Sequence, residues 1–175
     1  MILEQWKGVI ILLMVLLIAA AQAHDGTVNI SGTIQDNTCE LAPDSRNKMV
    51  NMGTVVGAQF SRVGDFSPAK HFTLNLENCG PAASEATVTF SGTADSQNSA
   101  LFSFDPGTES ATGLALGIYD SNGQRIAPGE TSAAIVLKPG QASVAMDFSA
   151  RYVAVMDNIT VGVASVTVTF IISYS

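Results

Sequence analysis

Few side chains in this sequence could do covalent chemistry, and none of them is spaced for it. The residues that most often serve as bases, nucleophiles or metal ligands come down to two histidines, His24 and His71, and two cysteines, Cys39 and Cys79. A serine–histidine site would rest on His71, because His24 falls at the start of the expected mature chain. His71 sits in "KHFTLNL" and alternates with Thr73 and Asn75, which puts it on the solvent side of a strand. No G-x-S-x-G elbow, phosphate-cradling glycine loop or nucleotide fingerprint is present. "DSNG" opens like a calcium loop, but the residue twelfth from Asp120 is Thr131, where such a loop needs a glutamate. The carboxylates lie mostly in turn-like stretches, where Asp and Glu act as turn formers. The sequence therefore offers no catalytic constellation, no cofactor site and no metal site.

The cysteines carry a structural meaning instead. Residues 1–23 read as a secretory signal: a short polar start ending at Lys7, an apolar run from Val9 to Ala20, and the small-x-small pattern Ala21-Gln22-Ala23. The run is shorter than the roughly 20 residues that span a bilayer. An exported chain with two cysteines pairs them more readily than it keeps two free thiols, and a bridge closing about forty residues would stabilise the fold by roughly 4 kcal/mol. Zinc is the weaker reading, since the two thiols lack the short ligand spacing of zinc sites.

Cleavage after Ala23 leaves residues 24–175, a usual length for one domain. Losing Lys7 and Glu4 from the chain's 8 basic and 15 acidic residues keeps the net charge at -7, which argues against a nucleic-acid partner. Period-2 alternation and β-branched residues recur from end to end, so the expected fold is all-β. Strands are expected near Thr27–Asp36, Lys48–Val56, His71–Leu76, Ala86–Ser91, Leu114–Tyr119, Ser132–Leu137, Ser143–Phe148, Ala150–Val155 and Ser165–Tyr174. Asn122-Gly123 signals a hairpin with a type I′ turn. Short strands at this spacing favour a sandwich.

Both ends of the mature chain are amphipathic strands. In "TVNISGTIQD", Val28, Ile30, Gly32 and Ile34 share one side. In "GVASVTVTFIISYS", Gly162, Ala164, Val166, Val168, Phe170, Ile172 and Tyr174 share one parity, and only Ile171 breaks it. From physics alone, pairing of the two strands within a single closed sandwich is the favoured expectation.

Nearly the whole mature chain resembles the pilin subunits of chaperone-usher fimbriae, of the type 1-like kind. The resemblance rests on the alternating strand with a central glycine ("VNISGTI"), Cys39 just after it, Cys79 closing "LNLENCG", the penultimate Tyr174, and Gly162 as the fourteenth residue from the end. "VTFSGTADSQNSALFSF" further looks like a segment of minor, tip-proximal subunits.

The resemblance implies an incomplete immunoglobulin-like sandwich over residues 37–175, lacking its final strand, with a groove beside the C-terminal strand. A periplasmic chaperone would fill the groove first. At the outer-membrane usher, the donor strand of a neighbouring subunit, equivalent here to residues 24–36, would replace it. Val28, Ile30 and Ile34 would then fill a neighbour's groove, and Gly32 would face a place too shallow for a side chain. Gly162, Val166, Val168, Phe170, Ile172 and Tyr174 would flank the chain's own groove, and the Ser175 carboxylate would be gripped by basic chaperone residues. The implied bridge is Cys39–Cys79. The implied product is a non-enzymatic subunit of an adhesive fimbria at the cell surface, supporting adhesion. The competing expectation is a secreted carbohydrate- or receptor-binding β-sandwich closed by its own first strand.

Overall fold

The computed structural model describes Ser31, Gly32 and residues 38–175. The chain divides into two units, Met1–Thr33 and Ile34–Ser175. In the first, the described Ser31 and Gly32 are both exposed, and a Cβ on Gly32 would meet nothing within 4 Å. The rest of the expected strand Thr27–Asp36, including Val28, Ile30 and Ile34, lies outside the described residues, as do residues 1–23. Among the described residues no helix is long and apolar enough to cross a membrane.

The second unit is a two-layer all-β fold. Its strands are β1 (Glu40–Leu41), β2 (Lys70–Glu77), β3 (Glu85–Ser91), β4 (Leu114–Asp120), β5 (Arg125–Ile126), β6 (Ile135–Val136), β7 (Ser143–Ala154) and β8 (Thr169–Tyr174), with one short helix at Pro43–Arg46. One sheet runs β1-β2-β7-β4-β5, the other β6-β3-β8, and every strand pairing is antiparallel. Alternation along each strand sends one set of side chains between the layers. Leu74 and Leu76 from β2, Met146 and Phe148 from β7, and Val88 and Phe90 from β3 are buried there. Phe90 meets Phe148 edge-on with centroids 5.1 Å apart, a favoured aromatic geometry that locks the two sheets face to face.

Where β-ladders stop, buried serines take over. The Ser45, Ser67 and Ser132 hydroxyls accept from the N–H groups of Asn75, Tyr152 and Val88, so the strand edges they cover keep their hydrogen bonds. Cys39 and Cys79 are joined by a disulfide that ties the start of the unit to the chain just beyond β2.

Several expectations need correction. The segment Lys48–Val56 is not a strand: it has no ladder partner, and the Asn51 side chain accepts from the N–H of Gly53, which turns with φ 71°. The two strands expected over Ser143–Val155 are one, because Ser149 and Ala150 continue the pairing with β2 and β4. The expected strand Ser132–Leu137 shrinks to Ile135–Val136. The β4–β5 hairpin exists, but its turn is not type I′. Among the described non-glycine residues only Asn78 has positive φ, so Asn122 does not. The loop instead bonds Gly123 N–H to the Asp120 carbonyl and Asp120 N–H to the Gln124 carbonyl, and the buried Asp120 carboxylate accepts from the N–H groups of Asn122 and Gln124.

Candidate functional site

β8 lies at the edge of its sheet, and its pairing leaves one side of its backbone open. Glu85 and Ser175 exchange both backbone hydrogen bonds. In an antiparallel ladder this pattern repeats every second residue, so Ser173, Ile171 and Thr169 also turn their N–H and C=O groups toward β3. Upstream of β8 the same parity holds with different partners. Val163 N–H donates to Glu109 and its carbonyl accepts from Ala111, while the Ser165 carbonyl accepts from Asp105 N–H. The Asp105 carboxylate then accepts from Thr167 N–H (3.3 Å), the Thr167 hydroxyl (3.0 Å) and the Ser165 hydroxyl (3.4 Å).

The even-numbered residues from 164 to 174 therefore present their backbone groups to the opposite side. Among the described residues no backbone partner meets them there; the one contact is the Tyr152 hydroxyl donating to the Ala164 carbonyl. The same residues, Ala164, Val166, Val168, Phe170, Ile172 and Tyr174, are half-buried, whereas every odd-numbered residue between them is exposed. An open polar edge and an apolar stripe thus coincide on one strand. Ile171 breaks the sequence pattern because it faces out, 63% exposed.

Beside this edge runs a groove of about 890 Å³. Its floor is Phe72 and Leu74 from β2, Phe90 from β3, and Leu116 and Ile118 from β4; residues 164–170 form one wall and residues 46–50 the other. At one end the chain termini of the unit are tied together. The Tyr174 hydroxyl donates to the Cys39 carbonyl (3.1 Å), and partial burial pushes the Tyr174 phenol above its ordinary pKa, so it stays a donor at neutral pH. An oxygen of the terminal Ser175 is seated on the N–H groups of Ser84 and Glu85 and on the Ser84 hydroxyl (2.6 Å). At the other end, Gly162 passes flush against a neighbouring backbone. A Cβ there would collide with the Glu109 carbonyl oxygen and come within 2.7 Å of Ala111 N.

The groove's floor and edge could hold an extended apolar segment as an added strand, and its chemistry is that of packing. His71 lies outside it, exposed on the opposite face of the five-stranded sheet. Of the residues singled out in the sequence, Val166, Val168, Phe170, Ile172 and Tyr174 come together on the stripe, with Gly162 and Ser175 near its two ends. Val28, Ile30 and Ile34 are outside the described residues. Sequence reasoning missed Asp105, Ser84 and the floor from β4. Asp105 stands sixty residues from Ser165, beyond the reach of any local pattern.

The sequence matches the protein family described as "Fimbrial protein" over residues 28–175. The uncharacterized fimbrial-like protein YcbV of Escherichia coli K12 is 40% identical over 152 residues, covering 87% of each chain. The probable major fimbrial subunit LpfA of Escherichia coli O157:H7 is 38% identical over 156 residues, covering 89% of this chain and 86% of that one. Among solved structures, a Burkholderia pseudomallei antigen and type I fimbria protein superposes with a TM-score of 0.60 at 34% identity, over 85% of this chain and 97% of that one. A subunit of a chaperone-usher pilus superposes with a TM-score of 0.66 at 20% identity, over 90% and 99%, and shares the fold. With its two antiparallel sheets and its last strand left open along one edge, this chain belongs to the fimbrial protein family.

Proposed function

We propose that this chain is a structural subunit of an adhesive fimbria whose groove accepts an extended strand from a neighbouring subunit. The single observation that carries the reading is the coincidence, along residues 166–174, of backbone groups left open on one side with half-buried apolar side chains. An edge strand so exposed is a template for another strand. The segment 24–36 is the matching piece: an alternating strand that plays donor for the next copy. Val28, Ile30 and Ile34 together contribute roughly 5 to 9 kcal/mol on full burial, before ladder hydrogen bonds are added. Gly32 sits where a larger side chain would block insertion.

In this reading residues 1–23 direct export, a periplasmic chaperone guards the groove and grips the Ser175 carboxylate, and the usher exchanges chaperone for donor strand at the outer membrane. The subunit ends at the cell surface, where the fibre supports adhesion. The tip-proximal position belongs to the same proposal and is supported by the segment Val88–Phe104.

The test is thermal unfolding of the purified mature chain with and without a peptide spanning His24–Asp36. A large rise in midpoint, absent when the peptide carries Gly32→Leu, is the expected result. A midpoint indifferent to both peptides would refute the donor reading and favour a sandwich closed by its own first strand.

A further inference from the structure

The groove uses the inner side of the fold. The outer face of the five-stranded sheet carries a cluster of a different kind, laid out in rows because cross-strand partners share a face. Phe66 bridges to Val153 in one row, Arg151 faces Gly117 in the next, and His71, Ser149, Tyr119 and Arg125 align in the third. Gly117 has no side chain, and the Tyr119 ring lies on its bare backbone: a Cβ there would come within 2.8 Å of the ring. The Arg151 guanidinium is thereby held between two rings, 5.2 Å from the centroid of Tyr119 and 5.3 Å from that of Phe66.

Rings cover the flat faces of a guanidinium and accept nothing from its N–H groups, which lie in its plane. Arg151 Nε is buried without a hydrogen-bond partner, and among the described residues no carboxylate pairs with Arg151 or Arg125. The neighbouring carboxylates are engaged elsewhere. Asp147 accepts from the Thr73 hydroxyl, Asp65 from the N–H groups of Ser61 and Arg62, and Asp157 from Val63 N–H. A buried donor without an acceptor is costly and rare in a folded protein, and this one is fixed in orientation by the rings on either side. Beside it Phe66 is 60% exposed, an aromatic face open to solvent, and Arg125 is exposed on β5.

A ligand suited to this cluster brings planar acceptors for arginine and an apolar face for the Phe66 ring. A sugar carrying a carboxylate has both: the carboxylate takes guanidinium N–H groups two at a time, and the C–H face of the sugar ring packs on an aromatic ring. The chain's own net charge of -7 opposes a densely charged polyanion. We propose that this cluster binds an acidic saccharide through an isolated carboxylate, of a sialic or a uronic acid, with Arg151 and Arg125 on the carboxylate and Phe66 against the sugar ring. The site shares no residue with the groove, so it stands whether or not the groove takes a donor strand.

The test is calorimetric titration of the full mature chain with 3′-sialyllactose, a hyaluronan tetrasaccharide, neutral lactose and a heparin tetrasaccharide. Whichever of the first two binds more tightly names the acid, and lactose binds at least about tenfold more weakly. Arg151→Lys keeps the charge but loses the planar fork, and lowers the affinity about tenfold. Arg125→Gln and Phe66→Ala, both at exposed positions, lower it about threefold or more and carry the test should Arg151→Lys fail to fold. Binding of neither carboxylated saccharide overturns the proposal, as do equal binding of lactose, binding of heparin alone, and wild-type affinity in the folded variants. A His24–Asp36 peptide that leaves the unfolding midpoint unmoved would strike the donor-strand reading without touching this one.

Discussion

Gly162 gives the sharpest test of how the groove wall is held. Its φ is not in the left-handed region, so alanine meets no backbone strain there, and whatever it costs comes from contact. That contact is with backbone atoms of residues 109–111, which cannot rotate away as a side chain could. To admit one methyl group, the strip beginning at Val163 must lift from this backbone, and two hydrogen bonds stretch: Val163 N–H to Glu109 (2.7 Å) and Ala111 N–H to Val163 (2.9 Å). At about 1 kcal/mol for each, with about 1 kcal/mol or more for overpacking, Gly162→Ala costs about 2 to 4 kcal/mol. For a chain of this length that is a fall in Tm of about 5 to 15 °C. Thermal unfolding by circular dichroism reads it directly. Gly129→Ala is a useful contrast: nothing lies within 4 Å of its Cβ position and its φ is 83°, so its cost is backbone strain alone. A Gly162→Ala midpoint within about 1 °C of wild type would refute the argument that backbone contact fixes the start of the wall.

Asp105→Ala removes three acceptor contacts from Ser165 and Thr167 and should weaken binding of the His24–Asp36 peptide about tenfold by calorimetry, with Asp105→Asn falling between; unchanged affinity would mean that the wall stands without this carboxylate. Stability should fall with acid in two places. Hydrogen bonds from Ser45 and then Asn75 hold the Asp44 carboxyl below its ordinary 3.8, and N–H groups of Ser61 and Arg62 do the same for Asp65. Because both folded-state values are depressed, their contribution is complete above pH 3.8 and is lost as pH drops through the lower folded values. Asp44→Asn with Asp65→Asn should therefore flatten the Tm profile below pH 4, and an unaltered slope would exclude these groups as its source.

The C-terminal wall was legible because its meaning is local: alternate residues from Ala164 to Tyr174 are apolar, and burial follows that parity residue by residue. Even the exception, Ile171, has a place on the outer side of the small sheet. Lys48–Val56 misled because a strand is a property of a pair. The segment alternates as a strand should, yet no ladder partner stands beside it among the described residues. β7 was read as two strands divided at Ser149, yet its apolar parity runs unbroken from Val144 to Ala154, and Ser149 is an outward residue in ladders that continue on both sides. Asp105, Ser84 and the arginine held between Phe66 and Tyr119 depend on residues brought together from distant parts of the chain, and no spacing rule reports them.

The bond from Tyr174 to the Cys39 carbonyl has a mechanical consequence. In a fibre built by the proposed strand donation, load would enter each subunit through its own leading segment, arrive at Cys39, and leave through the strand held in the groove. Cys39 is covalently fixed to Cys79 beyond the end of β2 and hydrogen-bonded to Tyr174, the last residue of β8, so the pull reaches both sheets of the fold at its point of entry. The ladder along β8 is then loaded in shear, with its hydrogen bonds sharing the force together instead of opening one after another. A subunit built this way resists being drawn out along the fibre axis far better than it resists being peeled from the side.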